Sequence, residues 1–172
     1  MDFKTFLNHV LTDTKVKLTE AFDRNFERKG FFGNGWPETK IPNRRGSLMM
    51  RTGTLRRSIR STVEGSSVHW TSSIPYADLQ NNGGELVITE KMKRYFWAMY
   101  YKVSGAAKGR KGSAQKAFSV EAEQWKALAL KKVGDKLKIP KRQFIGDHPE
   151  VKRMVDDIVN FNMKELLNSI HQ

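Results

Sequence analysis

Apolar residues recur at three- and four-residue steps at both ends of this chain, and no other feature limits the fold as strongly. Near the start, Phe3, Phe6, Leu7, Val10, Thr14, Leu18, Ala21, Phe22 and Phe26 share one face, with Lys4, Asn8, Lys15 and Arg24 largely off it. That spacing predicts an amphipathic helix. Arg28 and Lys29 suit the negative end of its dipole, and Gly30 can stop it. Near the end, Val151, Met154, Val155, Ile158, Phe161, Leu166, Leu167 and Ile170 form a second stripe. Asp147 is its expected cap, and Pro149 suits its first turn. Burying the N-terminal stripe requires a sheet or a neighbouring chain.

The middle of the chain changes period. Ser58 to Glu64 and Ser67 to Ile74 alternate polar and apolar residues around Gly65-Ser66, which predicts a β-hairpin with one solvated face. Pro75 ends the second strand, Asn82-Gly83-Gly84 forces a turn, and Glu85 to Thr89 reads as a third strand. Lys91 to Val103 returns to helical spacing, with Met92, Tyr95, Phe96, Met99 and Val103 on one face and Trp97 and Tyr101 away from it. A helix apolar nearly all round is buried on more than one side or bridges to a partner. Ser104 to Ser113 reads as a basic, small-residue linker. A helix from about Phe118 to Val133, closed by Gly134, follows, and Asp135 to Ile145 reads as extended. Residues 30–50 hold Gly30, Gly33, Gly35, Pro37, Pro42 and Gly46 and predict a long loop of the functional or mobile kind. Phe31, Phe32 and Trp36 in it either anchor the loop or meet a partner.

These elements make an α+β fold. A small antiparallel sheet is packed by long N- and C-terminal amphipathic helices, with a basic helix–linker–helix insertion over residues 91–134. The 172 residues fit a single domain with a core of its own.

The net charge of +13 predicts an anionic partner: nucleic acid, a membrane surface or an acidic protein. The charge is clustered. Lys40, Arg44, Arg45, Arg51, Arg56, Arg57 and Arg60 run without an intervening acid. Lys91, Lys93, Arg94, Lys102, Lys108, Arg110, Lys111 and Lys116 do the same. There is no cysteine, which excludes disulfides, thiolate metal sites and cysteine nucleophiles. Asp2, Lys4 and Asp13 interrupt any leader-like apolar run, and no stretch is long enough to span a membrane. A soluble product, inside the cell or inside an assembled particle, is expected.

Catalytic patterns are missing. His9, His69, His148 and His171 are scattered, and His148 reads as a helix-start residue. Neither a GxSxG elbow nor a phosphate loop occurs. Asp156 and Asp157 are adjacent and so diverge on a helix. Nuclease chemistry needs clustered carboxylates, and the basic centre holds few. No enzymatic activity, metal or cofactor is expected.

Three blocks stand out between the terminal helices. The first holds Leu48, Thr52, Gly53, Leu55, Arg56, Ser58 and Ile59, and the second Pro75, Tyr76, Ala77 and Gly83. The third holds Ile139, Pro140, Arg142, Phe144 and Gly146. In this order they resemble the Mu-type virion morphogenesis, or tail-completion, family of tailed phages, which is related to head–tail joining proteins. The match covers roughly residues 36–146; Gln80 stands where members often have histidine, and the 91–134 insertion is longer than usual.

The resemblance implies a non-enzymatic assembly protein that forms rings with copies of itself and meets neighbouring tail or head–tail connector proteins. Its place would be the virion, and the host cytoplasm during assembly. Trp36, Arg56, Arg57, Tyr76, Tyr95, Trp97, Tyr101, Arg142 and Phe144 are then the expected subunit or partner contacts. Arg44, Arg45, Arg51, Lys108, Arg110 and Lys111 would form a basic patch facing DNA in the channel, without sequence preference. Gly53 is expected to turn the chain and set Arg56 and Arg57 at a strand's start. Loss of both arginines should then leave the chain folded and block assembly, unless they serve their own fold. The alternative reading is a free, low-specificity DNA- or RNA-binding protein.

Overall fold

In the computed structural model, residues 2–39 and 47–170 are described; Arg44 and Arg45 lie outside them. The chain is α+β, with long helices at both ends. Where the sequence predicts one domain, contacts separate two compact units: Met1–Pro37 with Arg45–Asn82 and Lys141–Gln172, and Glu38–Arg44 with Gly83–Pro140.

The first unit is built on α1 (Phe3–Arg28), whose inward stripe is Phe6, Leu11, Thr14, Leu18, Phe22, Asn25 and Phe26. Asp2 caps it by accepting the Thr5 N–H, and hydrogen bonding by the Thr5 side chain and then by its backbone lowers the Asp2 carboxyl pKa. Phe3, expected on the stripe, is 73% exposed. The helix stops at Lys29, which itself takes the left-handed conformation (φ 53°). Gly30 is required for a different reason: a Cβ there would stand 2.6 Å from the Asn34 carbonyl oxygen. Strands β1 (Gly30–Phe31) and β2 (Asn34–Gly35) make a tight hairpin where a loop was expected. Its turn residues Phe32 and Gly33 both have positive φ, the geometry that matches strand twist. Phe32 is held there by stacking on His148 (5.0 Å, 21°) and by the Asn25 side chain, which accepts its N–H.

A five-residue helix, α2 (Thr54–Ser58), precedes the ribbon of β3 (Ile59–Glu64) and β4 (Ser67–Ser72). Arg56 and Arg57 therefore lie on a helical turn, not at a strand's start. The ribbon packs on α1 through Trp70, set edge-on to Phe22 (5.3 Å, 87°) and donating to Thr19 Oγ1 at 2.9 Å. Helix α3 (Ala77–Asn82) follows. The C-terminal helix, numbered α6 (Pro149–Ile170), packs against α1 through Val151, Met154 and Val155. His148, not Asp147, accepts the Glu150 N–H at 3.1 Å, in keeping with its reading as a helix-start residue. Asn162 ties α6 to Asp13 at 2.9 Å.

The second unit holds β5 (Gly84–Val87), α4 (Glu90–Lys108), α5 (Gly112–Ala129) and β6 (Lys136–Ile139). The expected flexible linker over 104–113 is instead mostly helix, leaving a three-residue connection at Gly109-Arg110-Lys111. The cause is packing: Phe96, Val103 and Ala107 of α4 are buried, as are Ala122, Trp125 and Ala129 of α5. A short antiparallel ladder of β5 and β6, from Gly84 opposite Ile139 to Val87 opposite Lys136, brings the two ends of the unit together. The expected single sheet is thus three separate two-stranded ladders among the described residues.

Candidate functional site

All three sequence blocks meet in one place. Leu55 of the first, Ala77 of the second and Phe144 of the third are buried together with Phe26 and Trp36. Leu48, Ile59, Ile74 and Ile145 pack around them. Polar groups lock the same junction. Asn81 Oδ1 accepts the N–H groups of Phe144 (2.9 Å) and Ile145 (3.1 Å). The Arg142 N–H donates to the Gln80 carbonyl at 2.8 Å. Asn25, 1% exposed, donates to the Phe144 carbonyl at 3.2 Å.

Several expected contact residues are therefore interior. Trp36 is buried, edge-on to Phe26, with its indole N–H donating to the Gln143 carbonyl at 2.6 Å. Phe144 is 1% exposed. Arg142 is buried and donates to the Pro37 carbonyl at 3.0 Å, and burial pushes its pKa down. These three are corrected from partner contacts to core residues, because the fold already supplies their partners.

Arg56 is also occupied. Its guanidinium grips both Asp23 carboxylate oxygens and reaches Glu27 Oε1 at 2.8 Å, which raises its pKa. Arg57 donates to the Thr52 carbonyl at 2.8 Å and lies against Gly53, whose φ of +68° sets the turn. Arg56→Ala is expected to lower stability by about 1 kcal/mol, since the two carboxylates are half in solvent. Thermal melts check this: the deficit should shrink in high salt, and an unchanged melting temperature would contradict it.

Other expected residues are outward. Tyr76 is 47% exposed, and Arg57 and Arg51 are exposed. In the second unit Tyr95 is 55% exposed, with its ring edge-on to Trp125, and Tyr101 is 64% exposed. Trp97 is half-buried and stacked on Tyr101. Lys108, Arg110 and Lys111 cluster at the α4–α5 turn, all exposed, with Arg110 4.3 Å above the Phe118 ring. Arg51 belongs to the first unit and these three to the second.

A groove of about 760 Å³ runs between α1 and the α2–β3 segment, with Val16, Thr19, Phe22 and Ile59 in its walls and Lys15, Glu20, Arg57 and Arg60 among its charges. Sequence reading missed it, and missed Asn25 and Asn81. The one available signal was an asparagine, Asn25, beside the apolar stripe of α1. Among the described residues, no group of three or more His, Asp or Glu is placed to hold a metal ion. Among the described residues no helix is long and apolar enough to cross a membrane.

No family model, curated protein or solved structure matches this chain.

Proposed function

We propose that this chain is a non-enzymatic assembly protein of a tailed-phage particle, acting in tail completion or head–tail joining through contacts with its own copies and with neighbouring tail or connector proteins. The observation that carries the reading is the convergence of the three resembling blocks. Leu48, Leu55 and Ile59, Ile74 and Ala77, and Phe144 and Ile145 are far apart in sequence yet share one core of the first unit. A resemblance spread over co-packed segments is that of a fold, not of isolated short motifs.

The outer surface supports association. Phe161, Leu167 and Ile170 of α6 are 57%, 49% and 64% exposed. Both edges of the β3–β4 ribbon lack a strand partner among the described residues. An open edge offers unpaired backbone groups to another chain. Copies of this chain and tail proteins are the occupants this reading assigns to those surfaces.

The test is the composition of the particle. Mass spectrometry of purified virions from the encoding phage or prophage is expected to find this chain in several copies per particle. Its absence from infectious particles would overturn the reading.

A further inference from the structure

Helix α4 carries a ring, Tyr101, that the core between α4 and α5 does not use, beside Trp97 and Tyr100, which pack partly against that core. Phe96 and Val103 face inward against Ala122, Trp125 and Ala129. Trp97 stacks on Tyr101 with centroids 5.8 Å apart at 25°, and Tyr100 meets Trp97 edge-on at 5.7 Å and 78°. Tyr101 remains 64% exposed.

The residue four positions on decides what can reach that ring. Helical side chains lean toward the N-terminus, so a side chain at 105 would lie over Tyr101. Position 105 is glycine, and nothing stands within 4 Å of where its Cβ would be. A glycine inside a helix weakens it, and here its absent side chain leaves a notch beside an open aromatic face.

Cations flank the notch along the same helix. Lys93 and Arg94 lie one turn before Trp97, and Lys108 lies one turn after Gly105. Lys93 to Lys108 spans about 22 Å of helix, and no acid occurs between Lys91 and Lys116. Between Gly83 and Pro140 thirteen Lys and Arg stand against five Asp and Glu, so the excess charge of the unit is strongly positive.

We propose that this stripe is a stacking site for single-stranded nucleic acid: an unpaired base lies on Tyr101 over Gly105, with Lys93, Arg94 and Lys108 along its flanking phosphates. A duplex presents phosphates but hides its base faces. An acidic side chain presents charge but no flat ring to cover Tyr101. An unpaired strand supplies both, the combination of cationic groove and aromatic platform that binds single strands. The inference goes beyond the assembly role and does not depend on it.

The test is fluorescence anisotropy of a labelled oligothymidylate with the full chain, beside a duplex of equal length, with thermal melts of each variant. The single strand should bind more tightly, and its affinity should fall steeply with salt. Tyr101→Ala should weaken it about tenfold or more, whereas Tyr101→Phe, which keeps the ring, should not. Gly105→Leu should weaken it comparably while leaving the melting temperature equal or higher, so binding is separated from folding. Unchanged affinity in Gly105→Leu, or duplex binding that is tighter and indifferent to both variants, would overturn the proposal. So would tyrosine-dependent binding of polyglutamate in place of the oligonucleotide, which would assign the surface to an acidic protein.

Discussion

Phe144→Ala is expected to destabilise the first unit by about 3–5 kcal/mol, the range for deleting a buried aromatic ring. The ring is 1% exposed and packs on Phe26 with centroids 5.1 Å apart. Its neighbours cannot collapse into the space. Trp36 is held by its bond to the Gln143 carbonyl, and the backbone at 144 is held from both sides by Asn25 and Asn81. A void of this kind forfeits contacts that no other side chain recovers. Against a typical total stability of about 5–15 kcal/mol, the loss is large. Urea denaturation followed by circular dichroism measures it, and a loss below about 1 kcal/mol would mean that the junction is loosely packed.

The second large effect is polar. Asn81→Ala removes one oxygen that accepts two backbone N–H groups, those of Phe144 and Ile145. Each unsatisfied, partly buried donor costs about 1–3 kcal/mol, so a total near 2–4 kcal/mol is expected. Asn81→Asp keeps the acceptor and should recover most of that loss. Equal destabilisation by both variants would show that side-chain size, and not the double hydrogen bond, matters at this position. The pairing also explains why the second and third blocks act together: the end of α3 is stitched to the segment that carries Arg142 and Phe144.

Much of the architecture was legible because periodicity reports which face is buried. The stripes at both ends became α1 and α6, and the alternation around Gly65 became the β3–β4 ribbon. Short elements escaped for a physical reason. Helices α2 and α3 have five and six residues, fewer than two turns, so no period can form. The stretch Ser104 to Ser113 has linker composition, yet it is largely helical because Val103 packs with Ala122 across the α4–α5 interface and Ala107 is buried. Local propensity gave way to tertiary packing there.

The contact residues were less legible. Trp36 on a glycine-rich loop has the same sequence signature whether it faces a partner or a core; only the position of Phe26 decides it. Arg56 looked free because Asp23 and Glu27 lie on another helix, 33 and 29 residues away. Asn25 and Asn81 act through bonds to backbone groups that no local pattern announces. Tyr101 was expected on a second buried side of its helix or in a partner contact and is 64% exposed, and the open notch beside it depends on Gly105, which composition assigned to a linker.

The most direct test of the proposed assembly role is electron microscopy of particles made when this reading frame is disrupted in the phage or prophage that encodes it. The account predicts full heads beside unjoined or malformed tails, restored by supplying the intact chain. Normal, infectious particles from the disrupted genome would contradict it.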